Sequence, residues 1–135
     1  MQYLLDTNIV AYLLQGRASA KLKNKLMQSN PESIFISQIT HAEIIYGLEK
    51  GGNMPKHIER VNSFLETINI LDWDGLCVHA YAKTRNALRL QGITVQSMDL
   101  MIGAHALGHG LTLVSNDHIF EHFKQFDLTV ENWQI

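Results

Sequence analysis

The sequence predicts an α/β fold, with a parallel sheet covered by helices on both faces. Short apolar runs rich in strand-forming residues alternate with longer segments whose apolar residues recur at helical spacing. Glycine, or an Asn-Pro pair, punctuates the ends of most of these segments. No internal repeat, low-complexity tract or linker divides the 135 residues, so one domain over 1–135 is expected.

In chain order, residues 2–5 read as the first strand, which stops abruptly at Asp6-Thr7-Asn8. A helix over 8–15 follows, stopped by Gly16. A second helix over 18–28 sets Leu22, Leu26 and Met27 on one side and Lys21, Lys23 and Lys25 elsewhere. Asn30-Pro31 is a break, and Ser-Ile-Phe-Ile-Ser at 33–37 is the second strand. The helix over 38–50 ends at Gly51-Gly52. Pro55, favourable in a first turn, opens a helix to residue 66. The third strand is 68–71, followed by a long helix over 75–91 that Gly92 ends. An apolar helix over 98–107 is closed by Gly108 and Gly110. Residues 111–114 form the fourth strand, 118–123 a short helix and 128–130 the fifth strand.

Composition bounds the function. With 46% hydrophobic and 18% charged residues the chain is globular, and at this length it buries about two thirds of its unfolded surface. One cysteine, Cys77, rules out an internal disulfide and fits a reducing compartment. No basic residue precedes the first apolar stretch and no apolar run reaches ~18 residues, so neither a signal peptide nor a membrane span is expected and a cytoplasmic location is the simplest reading. A net charge of −2 excludes a general polyanion binder; nucleic-acid binding would need a local basic patch or a metal.

Ligands of a parallel sheet bind beyond the carboxyl ends of its strands. Four acids fall near that edge: Asp6 after the first strand, Glu43 two turns into the helix after the second, Asp99 at the start of the apolar helix, and Asp117 after the fourth strand. Each has a local explanation. Asp6 and Asp117 have N-cap positions; Thr40-His-Ala-Glu43 has capping-box spacing; Ser97-Met-Asp99 reads as a cap with an acidic first turn. Together they converge, and Asp99 carries most weight, because a carboxylate on a helix apolar almost all round is costly unless paired or metal-bound. Clustered carboxylates raise one another's pKa, and a divalent cation relieves the repulsion. Oxygen-only ligands suit Mg2+ or Mn2+, which activate water and stabilise charge on a phosphoryl group. Metal-dependent phosphodiester hydrolysis follows as the functional expectation.

Asp-Thr-Asn at 6–8, Thr-His-Ala-Glu-Ile at 40–44, Asp-Leu-Met-Ile-Gly-Ala at 99–104 and Leu-Val-Ser-Asn-Asp-His-Ile-Phe at 113–120 resemble the PIN-domain signature, and in order and spacing the VapC toxins of bacterial toxin–antitoxin pairs. The resemblance extends over nearly the whole chain, to the segment around Trp133. It implies a three-layer α/β/α sandwich with a five-stranded parallel sheet, and Mg2+- or Mn2+-dependent endoribonuclease activity on an RNA substrate. It also implies a homodimer, neutralised by a cognate antitoxin that inserts a segment into the active groove. Asp6, Glu43, Asp99 and Asp117 match the family's acidic positions. Asp6 and Asp99 would be the principal metal ligands, Asp117 would complete the cluster directly or through water, and Glu43 would position water or a second metal. Thr7, Asn8, Ser115 and Asn116 are candidates for orienting the ligand carboxylates.

Other features have blander readings. His105-x-x-x-His109 and His118-x-x-x-His122 have the spacing of paired zinc ligands, but lack the His-Glu-x-x-His form, and solvent-facing histidines are expected. Tyr81, Arg85 and Arg89 share a helix face that could bind phosphate and stack a base; a solvated face is the stronger expectation. Cys77 reads as a small core residue, and Met54 and Met98 as packing groups. Two other functional classes remain. A haloacid-dehalogenase-type phosphatase would want Asp-x-Asp, where this chain has Asn8. A phosphoaspartate receiver-like domain would want paired acids after the first strand and an acid after the third; Asp72 and Asp74 meet only the second requirement.

Overall fold

Leu4 and Leu5 are neighbours in the chain and both fully buried, yet they belong to different cores. Successive side chains of a strand point to opposite faces, so a strand apolar at both positions is covered twice. The computed structural model, which describes all residues 1–135, has this arrangement. Strands β1 (Tyr3–Leu5), β2 (Ile34–Ser37), β3 (Asn69–Leu71), β4 (Thr112–Val114) and β5 (Val130–Glu131) form one parallel sheet in the order β3-β2-β1-β4-β5.

On one face lie α1 (Thr7–Leu14), α2 (Ala20–Gln28), α3 (Gln38–Lys50) and α4 (Pro55–Thr67). Their Ile9, Val10, Leu22, Ile44 and Val61 pack with Leu5, Ile36, Val114 and Trp133. On the other lie α5 (Gly75–Leu90), α6 (Ser97–His109) and a 3-10 helix, His118–Phe126, whose Leu88, Leu100, Ile102, Phe120 and Phe123 pack with Leu4 and Leu113. The three-layer α/β/α sandwich with a five-stranded parallel sheet is the architecture the sequence predicts. None of its helices is long and apolar enough to cross a membrane.

Most element boundaries fall within two residues of expectation. The final helix differs in kind as well as in length. Phe120, Phe123 and Phe126 recur every third residue, and in a 3-10 helix residues three apart eclipse, which places all three rings against the core. This geometry also removes the paired-ligand reading of His118 and His122, both exposed, because residues four apart no longer share a face. A one-turn 3-10 segment, Pro31–Ser33, fills the break before β2.

Helix α6 is buried over most of its length, as its apolar character predicts: Leu100 and the run Ile102–Gly103–Ala104–His105–Ala106 are inaccessible. Two glycines permit this packing. A Cβ on Gly103 would overlap the Phe123 ring, and one on Gly108 would stand 2.9 Å from the Leu76 carbonyl oxygen of α5. Trp73 anchors the same helix by donating from its indole Nε1 to the Met101 carbonyl at 3.2 Å.

The sheet order locates the functional edge. From β1 the chain winds through β2 to β3, then returns to the far side of β1 with β4. The winding therefore reverses between β1 and β4, and the crevice at their carboxyl ends is where such sheets bind ligands. Leu5 pairs in register with Ile36 on one side and Val114 on the other, so Asp6, Ser37 and Ser115 emerge at one level.

Candidate active site

Asp6 is the pivot of this crevice. Its backbone N–H still belongs to the sheet, donating to the Val114 carbonyl at 3.1 Å, while its side chain caps α1 by accepting from the Ile9 N–H at 2.9 Å. The residue is 4% exposed. Burial pushes its carboxyl up to about 6, against hydrogen bonds from Ser115 and Ile9 that favour the charged form, and the charges of Asp117 and Asp99 push it further in the same direction. Asp6 is thus both cap and member of an acidic cluster: its Oδ1 accepts the helix N–H, and its carboxylate carries the charges of Asp117 and Asp99 beside it.

Asp99 is the third residue of α6 and half-buried. Its carboxyl is raised by burial and then by the charge of Asp117. The cap expected at Ser97 is not formed: the helix begins at Ser97, and Gln96 before it makes no side-chain capping bond. Asp117 sits beyond β4 in a turn that Ser115 shapes. The Ser115 hydroxyl accepts from the Asp117 N–H at 3.0 Å, and Asp117 accepts from the Ile119 N–H at 3.0 Å. The capping role expected for Asp117 is present, as is its electrostatic contact with Asp6 and Asp99.

Glu43 reaches the site from α3. The capping-box reading of Thr40 and Glu43 is incorrect, because the cap of α3 lies three residues earlier. Ser37 is the cap, its hydroxyl accepting from the Ile39 N–H at 3.0 Å. Thr40 lies inside the helix, fully buried, with its hydroxyl 2.9 Å from that of Thr7. Relieved of capping, Glu43 lines a cavity of about 270 Å³ together with Asp6, Asp99, Thr7, Asn8 and Gln96. Asn116 does not orient a carboxylate; its Nδ2 donates to the Tyr12 hydroxyl at 3.1 Å.

The arrangement brings all four sequence-predicted acids to one edge: three line or charge the crevice between β1 and β4, and Glu43 closes it from α3. These are oxygen donors that repel one another when ionised, beside the N-terminus of α1, and they are the residues that could hold a hard divalent cation. A larger cavity of about 320 Å³ continues from Thr7 and Glu43 between α1, α3 and α4, with Leu14, Ile44, Leu48 and Val61 on its walls and Arg60 at its side.

The remaining candidates sort differently. Asp74 caps α5 and lies 3.0 Å from His109 Nε2, at the β3 edge of the sheet, two strands from β1. A receiver would need that acid beside Asp6, so the geometry gives the receiver reading no support. Tyr81 and Arg85 pair with each other at 2.8 Å, and Arg89 bonds Asn86, on a solvated face as expected. Met54 and Met98, read as packing groups, are about half exposed, and Met98 lies at the rim of the acidic cavity. His105, expected at the surface, is fully buried because the inward face of α6 carries it under α3.

Sequence reasoning missed Ser37 and Thr40. Ser37 was detectable as the serine closing a strand before a helix. The Thr7–Thr40 bond had no local signal.

Known proteins share this organisation. The PIN domain family model matches residues 3–125. The chain is 31% identical over 134 residues to Ribonuclease VapC2 of Rickettsia felis, covering 98% of each protein. It is 34% identical over 133 residues to Ribonuclease VapC2 of Haemophilus influenzae, again covering 98% of each. Its fold superposes on a chain of the VapBC2 complex from Rickettsia felis, crystallised with a DNA fragment from its promoter, at a TM-score of 0.88 and 30% identity, covering 98% of this chain and 99% of that one. With the strand order, the acidic crevice and these matches in agreement, the chain belongs to the PIN-domain family, among the VapC ribonucleases.

Proposed function

We propose that this protein is the toxin of a toxin–antitoxin pair, an endoribonuclease that hydrolyses RNA phosphodiester bonds with Mg2+ or Mn2+ bound at the acidic crevice. The observation that carries the reading is the shared crevice: Asp6, Asp99 and Glu43 line one cavity and Asp117 adds its charge to Asp6 and Asp99, an anionic cluster that a cation would stabilise. The donor set fits a hard ion: all four groups are carboxylates, and Mg2+ takes one or two of them with the rest water and phosphate oxygen.

Asp6 and Asp99 would hold the metal, with Asp117 completing the cluster directly or through water. When bound, the ion supplies an activated water and offsets charge on the phosphoryl group. The Ile9 N–H orients the Asp6 carboxylate by holding its Oδ1. Glu43, on the opposite wall, orients the attacking water. Ser115 holds the Asp117 turn.

The apolar cavity leading away from Glu43 supports a protein partner: an antitoxin segment with an apolar side chain and a nearby acid would fill it against Arg60. The solved relative from Rickettsia felis is a VapBC complex, which supports the same partner here. A homodimer and a cytoplasmic location complete the proposal.

The test is cleavage of a single-stranded RNA by the purified chain after chelation, then with Mg2+ or Mn2+ restored. Activity should vanish and return with the metal. Cleavage that persists in chelator would overturn the metal dependence, and RNA left intact under all conditions would overturn the nuclease.

A further inference from the structure

We propose that Cys77, His105 and His109 form a second metal site, selective for Zn2+ or a similarly borderline divalent ion and separate from the acidic crevice. In the sequence the two histidines have zinc-ligand spacing but no third partner. The fold supplies it. Close packing of α6 on α5 through Gly108 brings the Cys77 thiol to the histidines, and one ligand atom from each residue lies within 4.8 Å of the others. This is the one group of His, Cys, Asp and Glu in the chain drawn so close.

The second observation is His105 itself. The residue is fully buried, its Nδ1 lies 2.8 Å from the Ser37 hydroxyl, and its Nε2 has no hydrogen-bond partner. No other buried side-chain nitrogen or oxygen is left in that condition. An orphaned ring nitrogen is costly in an interior, and a metal would satisfy it.

Outer contacts fit the same reading. Histidine ligands of metals characteristically engage their other ring nitrogen with a carboxylate or hydroxyl, which fixes the tautomer. Ser37 does this for His105, and Asp74, 3.0 Å from His109 Nε2, does it for His109. Burial lowers the His105 imidazole to about 4, so at neutral pH it is in the neutral form that binds metal. Burial keeps the Cys77 thiol protonated in the free protein. Binding releases that proton to solvent with no change of oxidation state, giving one thiolate and two imidazoles, with a fourth position for water. The ion would tie α6, which carries Asp99, to α5 and, through Ser37, to the end of β2.

Cobalt substitution tests the site. The full chain, stripped of metal by chelation and dialysed, should take up Co2+ at this site with a thiolate-to-cobalt charge-transfer band in the near ultraviolet and intense tetrahedral visible bands. Zn2+ should displace the Co2+ and raise the thermal midpoint. Cys77→Ser should lose the charge-transfer band, Asp74→Asn should weaken Zn2+ by about 10- to 100-fold, and Asp99→Asn should leave the spectrum unchanged, which separates this site from the acidic one. Absence of the band in the unmodified chain, which needs no variant to fold, would overturn the proposal, as would a band that survives in folded Cys77→Ser.

Discussion

The hydroxyls of Thr7 and Thr40 meet at 2.9 Å and join α1 to α3. Thr7 directly follows Asp6, and Thr40 lies about one turn before Glu43, so this bond sets the spacing between the two walls of the acidic crevice. Thr40→Val keeps the shape and removes the bond, leaving a partly buried Thr7 hydroxyl unpaired. A loss of about 1–2 kcal/mol in urea unfolding is expected, together with a reduced RNA cleavage rate. An unchanged rate would mean that the wall spacing does not depend on this contact.

Asp99→Asn should reduce metal-dependent RNA cleavage by at least about a hundredfold, because a metal ligand contributes several kcal/mol of charge stabilisation. Since Asp99 is half-buried and raised by burial and by Asp117, the neutral amide should leave the metal-free fold as stable as before or more so. Cleavage assays and thermal melts on the same preparation decide this, and full activity in the variant would remove Asp99 from the site.

Asp6 links the site to pH. A carboxyl raised to about 6 in the folded state binds protons that the unfolded chain releases nearer 4. Its contribution to stability is fully present below about pH 4 and lost as pH rises through about 6. The gap corresponds to at most about 3 kcal/mol. In chelator at neutral pH, Asp6→Asn should therefore be more stable than the parent, since Asn retains an acceptor for the Ile9 N–H; the difference should close in acid. Adding Mg2+ should stabilise the parent and not the variant. Urea midpoints across pH test this, and a variant less stable than the parent at neutral pH would count against a strained, buried carboxylate.

The buried His105 imposes the opposite slope. Its imidazole is lowered to about 4, from an ordinary value near 6.5, so its contribution is present above the higher value and lost as pH falls through the lower one. In the metal-free parent the two groups offset each other between about pH 4 and 6. Asp6→Asn should unmask the histidine, giving stability that rises with pH over that window.

Ser37 and Glu43 divide what looked like one role. Glu43→Gln should abolish cleavage with little change in melting temperature, because Ser37 and not Glu43 serves the start of α3. Ser37→Ala should cost about 1–3 kcal/mol, losing the cap and leaving His105 Nδ1 unpaired as well. The reverse pattern, a large melting drop in Glu43→Gln, would restore the capping-box reading.

The layered architecture was legible because Leu4 and Leu5, Ile34 and Ile36, and the apolar run of α6 declare their burial locally. The acids were legible as a set because a parallel sheet turns Asp6 and Asp117 toward the same edge. The bounds of α3 were legible but its cap was not, because Thr40 and Glu43 satisfy a spacing rule by chance while Ser37, three residues before Thr40, caps the helix. His105 was assigned to solvent because spacing on a helix does not say which face turns inward.

By itself the sequence determined what short-range physics controls: strand and helix periods, caps at strand ends, and a carboxylate on a helix too apolar to leave it unpaired. Tertiary structure decided which side chains meet. The β3-β2-β1-β4-β5 order put the crevice between Asp6 and Asp117, the α1–α3 packing joined Thr7 to Thr40, and the approach of α6 to α5 at Gly108 set Cys77 beside His105 and His109. The physical reason is that local periodicity fixes only the face a residue occupies, whereas strand order, register and helix contact are long-range choices made by the whole core.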